Sequence, residues 1–137
     1  MKKLISLLTT LMLIFVITAC NKGSTPESVA KDWVEAIYSG NEKTVVSLIY
    51  FKEEEKKDKE LQKIFSGKMK KLVEQTSKLA KQNGGIKKID AEKARLSNDK
   101  QYATVKVNVS FNNSQEIDST DIELKKTKTG WMIYLDK

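Results

Sequence analysis

The sequence YATVKVNVSF, residues 102–111, alternates between apolar and more polar side chains over its whole length. A period of two places one set of side chains on each face of a β-strand. The apolar set consists of Ala103, Val105, Val107, Val109 and Phe111. The stretch therefore predicts an antiparallel strand with one face on a hydrophobic core and the other in water.

Three further strands are predicted around this one. Turn-forming residues, SNDK at 97–100 and NNS at 112–114, flank it at hairpin lengths. Residues 117–127 predict the next strand and residues 131–135 the last. Residues 86–96 predict the first strand, although their mixed alternation does not define a buried face. The four strands together form a meander.

Helical patterns precede the strands. Thr25-Pro26-Glu27 offers an N-cap hydroxyl, a proline at the first helical position and an acid near the positive end of the dipole. The helix that follows is predicted to end at Gly40. A second, shorter helix is predicted over residues 42–49. The apolar stripe of the first helix comprises Val29, Trp33, Ala36 and Ile37.

A long third helix is predicted over residues 52–82, with a bend at Ser66-Gly67. Its first part, residues 52–63, contains five lysines and five acidic residues, and opposite charges pair at i, i+4. That spacing favours a solvated helix over an acidic metal site. Helices followed by a meander predict an α+β fold. We expect three N-terminal helices packed on a curved, cone-shaped, four-stranded antiparallel sheet, in a single domain of residues 25–137.

The residues before this domain have the composition of an export signal. A positive start, Met1-Lys2-Lys3, leads into a mostly apolar stretch over residues 4–17. The stretch is short for a bilayer crossing, which needs roughly 20 residues. It ends in Ile17-Thr18-Ala19-Cys20, which resembles the lipobox of bacterial lipoproteins. The resemblance implies a signal peptide at residues 1–19, cleavage after Ala19, lipid on Cys20 and a tether at residues 20–24.

The cysteine usage agrees with this interpretation. Cys20 is the only cysteine of the chain, so it cannot form an intramolecular disulfide. Acyl chains contribute about 0.8 kcal/mol per buried methylene, and two or three of them anchor a protein stably. We expect an exported protein anchored to the cell membrane or, because Asn21 replaces the usual retention aspartate, to the outer membrane of a two-membrane bacterium. A plain secretory signal cut after Ala19 and an uncleaved anchor remain alternatives.

Parts of the chain resemble a known superfamily. The stretches VAKDWVEAIYSGN at 29–41, VVSL at 45–48 and GWMI at 130–133 are similar to the first helices and last strand of nuclear-transport-factor-two-like domains. These domains are also known as ketosteroid-isomerase-like or cystatin-like. The chain resembles small bacterial lipoproteins that carry such a domain and have no assigned function. Because the shared residues are core and turn positions, the resemblance implies a fold rather than an activity.

The resemblance also allows catalysis to be considered. Ketosteroid isomerases use a tyrosine on the first helix, and Trp33 occupies that position here; an indole can donate a hydrogen bond but is not an acid. The chain has no histidine, which excludes the histidine–aspartate pair of related dehydratases and histidine-based triads. We expect no catalytic residue, no metal and no cofactor. An isomerase- or dehydratase-like enzyme is the remote alternative.

The cone of such domains implies a shallow apolar pocket between the first helix and the sheet. Trp33 and Tyr38 are the candidate ligand contacts in this chain, because each combines an apolar ring with a polar group. The helical spacing of Trp33 with Val29 and Ala36 equally fits a residue of the core.

Positive charge is concentrated in one part of the chain, whose formal net charge is +7. Residues 68–95 contain nine basic residues against three acidic ones. They could contact anionic lipid or an acidic wall polymer, although a soluble lysine-rich surface gives the same pattern. Nucleic acid is a poor candidate because the lysines are not interleaved with aromatic residues. The candidate contacts are Lys68, Lys70, Lys71, Lys78, Lys81, Lys87 and Lys88.

Two classes of function follow. The first is a non-catalytic envelope module that binds a small apolar ligand or another envelope protein. The second is an electrostatic module that touches anionic envelope material. Only the second must weaken steeply as the salt concentration rises.

Overall fold

The computed structural model describes residues 25–135, which fold into four helices and a curled antiparallel sheet. The predicted α+β class and the order of helices before strands are confirmed. The helices are α1 (Pro26–Ser39), α2 (Glu42–Ser47), α3 (Glu53–Lys57) and α4 (Lys59–Gln82). The strands are β1 (Ile86–Ala91), β2 (Arg95–Leu96), β3 (Tyr102–Phe111), β4 (Ile117–Thr127) and β5 (Gly130–Ile133).

Both ends of α1 follow the predicted capping chemistry. The Thr25 hydroxyl accepts a hydrogen bond from the Ser28 amide at 3.2 Å, and Pro26 opens the first turn. Gly40 adopts φ +81°, a left-handed conformation that glycine reaches without steric cost. This conformation lets the Asn41 amide donate to the Ala36 carbonyl at 2.9 Å, which closes the helix.

The long helix predicted over residues 52–82 is divided into α3 and α4. The division lies at Asp58, whose backbone is extended and whose carboxylate accepts from the Leu61 amide at 3.0 Å. Asp58 is therefore an N-cap, and a residue that caps a helix leaves the helical conformation. Ser66 and Gly67, where a bend was predicted, lie within α4, which passes through both residues without interruption.

The sheet has the order β1-β3-β4-β5, and β2 also pairs with β3. The predicted first strand is thus two short strands along the same edge of β3. At the break, the Glu92 amide still donates to the Lys106 carbonyl, whereas the Ala94 amide turns to the Glu27 carboxylate of α1 at 2.9 Å. At the opposite edge β5 is covered by Ile49, which forms a parallel bridge with Ile133.

The core lies between α1 and the inner face of the sheet. The predicted phase of β3 is confirmed, since Val105, Val107 and Val109 are at most 2% exposed. Helix α1 packs against β1, β3 and β5 on one side and against α4 on the other. Within residues 25–135, no helix combines the length and the apolar composition that a membrane crossing requires.

The predicted processing segment lies outside the described residues. This applies to the signal peptide at 1–19, the cleavage site at Ala19, the lipid attachment at Cys20 and the tether up to residue 24.

Candidate ligand cleft

A cleft of about 290 Å³ opens between α1, α4 and the inner face of β3 and β4. Its walls are mostly apolar, and its rim includes Leu72 and Leu79 of α4, which are 38% and 46% exposed. The cleft occupies the position expected for the pocket, between the first helix and the sheet. The residues that line it include Trp33, Val34, Ile37, Tyr38, Thr76, Val107, Val109, Asp118, Thr120 and Ile122.

Trp33 is both a core residue and part of the cleft wall. Its side chain is 6% exposed, and its Nε1 donates to the Val45 carbonyl at 3.1 Å. This hydrogen bond connects α1 to α2. It also occupies the indole N–H, which is therefore not available to donate to a ligand. Trp33 therefore offers the cleft an aromatic surface and no free polar group.

Tyr38 provides the polar contact of the cleft, together with a residue that the sequence did not single out. Its hydroxyl donates a short hydrogen bond to Oδ2 of Asp118 on β4. The ring of Tyr38 packs at a tilt against Phe111, with 5.8 Å between the ring centroids. The last turn of α1 and the start of β4 are thus joined across the cleft.

The environment of Tyr38 keeps its hydroxyl protonated. Burial, followed by the hydrogen bond to the Asp118 carboxylate and the charge of that carboxylate, raises the pKa of Tyr38 well above its ordinary value of 10.0. At neutral pH Tyr38 is therefore a neutral phenol that donates to Asp118. Such a phenol can orient a neighbour but is poorly suited to giving up its proton.

Asp118 is the polar residue of the cleft that sequence reasoning missed. Its Cα pairs with that of Val109, so it lies on the inner face of the sheet with Thr120 and Ile122. A polar residue at an inner-face position is unusual and was the signal available in the sequence. The partner of Tyr38 could not be named, because 80 positions separate the two residues along the chain.

The basic residues singled out in the sequence are exposed but do not converge on the cleft. Lys68, Lys70, Lys71, Lys78 and Lys81 are exposed along α4, and Lys87 and Lys88 are exposed on the edge strand β1. The lone arginine, Arg95, lies on β2 with its guanidinium 3.6 Å from the Asp121 carboxylate. As for metals, residues 25–135 contain no group of three or more potential His, Cys, Asp or Glu ligands.

Comparison with known families decides what kind of domain carries this cleft. A family described as a domain of unknown function, DUF4878, matches residues 18–134. The chain belongs to the DUF4878 family.

A solved structure places this DUF4878 domain in the predicted superfamily. The chain is similar to a Campylobacter jejuni protein provisionally named an NTF2-like transpeptidase, with 33% sequence identity and a TM-score of 0.73. The match covers 82% of this chain and 100% of that protein. The nuclear-transport-factor-two-like fold of the DUF4878 domain is thereby confirmed. No curated protein matches the chain.

Proposed function

We propose that this protein is a lipid-anchored envelope lipoprotein whose cleft binds a small, largely apolar ligand without transforming it. The observation that carries the proposal is the apolar cleft that is lined, among others, by the hydrogen-bonded Tyr38–Asp118 pair. Small-molecule sites are mostly apolar with a few placed polar groups, which is the composition found here. The volume is near the lower end of the roughly 300–1,000 Å³ of such sites, so the ligand is small.

The absence of catalysis is supported by the state of the polar groups in the cleft. The Trp33 indole is already bonded to the Val45 carbonyl, and the raised pKa of Tyr38 makes its hydroxyl a weak acid. The Campylobacter jejuni relative is named after transpeptidation, which proceeds through a nucleophile activated by a base. This chain has no histidine to act as that base, and its single cysteine is the predicted lipid site.

Lipid attachment is supported by the sequence ITAC at residues 17–20 and by the use of the lone cysteine at that position. Mass spectrometry of the membrane fraction should find a diacylglyceryl group on Cys20. Cys20→Ser should block processing and leave the uncleaved precursor. A mature chain that is soluble and unmodified would contradict the anchor.

Ligand binding can be tested by the fluorescence of Trp33, which lines the cleft. The chain has two tryptophans, so Trp131→Phe isolates the signal of Trp33. Trp131 lies on β5 and does not line the cleft. Small apolar compounds should shift or quench the Trp33 emission with saturation. Emission that no such compound perturbs would contradict the proposal and favour a protein-interaction surface.

The electrostatic alternative has weaker support. Its lysines are exposed but belong to separate elements, α4 and β1, and Arg95 is already paired with Asp121. If these charges bind the envelope, co-sedimentation of the protein with anionic vesicles should fall steeply as salt is raised. Binding of an uncharged apolar ligand to the cleft should change little under the same conditions.

A further inference from the structure

The cleft has an uneven distribution of charge. Of the described residues that line it, Asp118 is the only one with a charged side chain, and none is a lysine or arginine. The remaining walls are apolar or hold the hydroxyls of Tyr38, Thr76 and Thr120. The chain as a whole is positive, with a formal net charge of +7, so the negative cleft is not a consequence of the overall composition.

The Asp118 carboxylate keeps one oxygen available to a ligand. Oδ2 accepts the Tyr38 hydroxyl, and among residues 25–135 no hydrogen bond reaches Oδ1. The hydrogen bond fixes the orientation of the carboxylate without neutralising its charge. An ammonium group has three donors and no acceptor, which complements a carboxylate oxygen of this kind.

Aromatic rings line the same cleft as the Asp118 carboxylate. The rings of Trp33 and Tyr38 both line the cleft, and the face of an aromatic ring attracts a cation. A cleft that holds a carboxylate and aromatic rings is therefore favourable for a positively charged group. An anionic group at the same position would be repelled by Asp118.

We propose that the cleft is selective for cationic amphiphiles: a short apolar body that fills the space between α1, α4 and the sheet, and an ammonium-type group that binds Asp118. This specificity rests on the proposed function, because it requires the cleft to be the binding site. Asp118 is the residue that determines the specificity, and Tyr38 is a positioning residue that holds its carboxylate.

The test compares three probes with the same six-carbon body: hexylammonium, hexan-1-ol and hexanoate. Each is titrated into the purified full-length protein carrying Trp131→Phe, and the emission of Trp33 is followed. Hexylammonium should bind at least about tenfold more tightly than hexan-1-ol, and hexanoate should bind more weakly than either, because only the cation gains a charge-assisted hydrogen bond.

Two variants of β4 attribute the preference to Asp118. Asp118→Asn should bring the affinity for hexylammonium to within about threefold of that for hexan-1-ol, since the charge is gone while the cleft remains. Asp121→Asn is the matched control: it makes the same change three residues away at a position paired with Lys106 on the outer face, and it should keep the preference. Tyr38→Phe retains the carboxylate and should keep a reduced preference for the cation.

The outcomes separate the two proposals. If no probe perturbs Trp33, the cleft is not a ligand site and both proposals are wrong. If the probes bind without preference, or hexanoate binds best, the proposed function stands and the cationic specificity is wrong. A cation preference that survives Asp118→Asn, in a variant with an unchanged circular dichroism spectrum, also overturns the role of Asp118.

Discussion

The two halves of β4 present the same face of the sheet to different environments. Toward its end, Ile122 and Leu124 are 5% and 0% exposed and belong to the core. Toward its start, Asp118 and Thr120 continue the same alternation, but both are exposed and line the cleft. Ile122 belongs to the core and also lines the cleft, and the inward side chains on the cleft side of it are polar.

This difference shows what alternation does and does not indicate. A period of two gives the face on which a residue lies, because successive side chains point to opposite sides of a strand. It does not tell whether that face is covered. The covering elements are α1, which packs on β3 and β5, and α4, which lies against α1 and leaves the start of β4 open.

The largest effect is expected in the covered half. Val105 is 0% exposed, and Val105→Lys would place an unpaired charge in the core. We expect a loss of more than about 3 kcal/mol in the free energy of unfolding, measured by urea denaturation. Lys106→Val changes the neighbouring residue on the outer face and should be nearly neutral. The reverse order of stability would place the alternation of β3 one residue out of phase.

A smaller effect compares the two halves of β4 directly. Leu124→Ala removes a fully buried side chain and should cost about 3 kcal/mol, from the lost burial and the cavity that remains. Thr120→Ala alters the same face in the open half and should change the free energy of unfolding by less than about 0.5 kcal/mol. Equal losses at both positions would mean that the start of β4 is packed as tightly as its end.

The sequence was most informative where the chemistry is local. The cap at Thr25, the helix end at Gly40 and the alternation of β3 depend on residues within a few positions of one another, and each was predicted. The break at Asp58 also depends on local chemistry, because aspartate is a favourable N-cap residue. It was not predicted, since the charge pairs at i, i+4 continue across Asp58 and indicate one unbroken helix. The Tyr38–Asp118 pair could not be predicted in this way, because tertiary packing brings its members together.

The Tyr38–Asp118 pair should also affect the response to alkaline pH. Because the pKa of Tyr38 is raised, its contribution to stability is complete below the unfolded value of 10.0 and is lost as pH rises above that value. In that range the unfolded chain releases the phenolic proton while the folded chain retains it. Urea denaturation between about pH 8 and pH 11 should therefore show a free energy of unfolding that declines only above about pH 10.

Asp118→Asn should make this decline shallower, because it removes the charge that helps to raise the pKa of Tyr38 and leaves an uncharged, weaker acceptor for its hydroxyl, while the burial of Tyr38 remains. The difference should stay below about 1 kcal/mol, since the pair is partly exposed and solvent screens it. Tyrosine NMR, which resolves each phenol, should show that Tyr38 titrates at a lower pH in the variant. If the free energy of unfolding declines with pH in the variant as it does in the unsubstituted protein, Asp118 does not influence the titration of Tyr38.

The smallest effect is expected for the other aspartate pair of β4, on the outer face of the sheet. Arg95 lies 3.6 Å from Asp121, and their side chains are 69% and 53% exposed. Solvent screens such a pair, and the long side chain of Arg95 loses conformational entropy when the pair forms. Arg95→Ala should therefore change the free energy of unfolding by less than about 0.5 kcal/mol. The change should also be insensitive to added salt, measured by urea denaturation at low and high ionic strength. A larger loss that disappears at high salt would mean that the charges on the outer face of β4 contribute to stability. The Arg95–Asp121 pair would then stabilise the protein as much as the Tyr38–Asp118 pair, and the two pairs would differ only in where they lie.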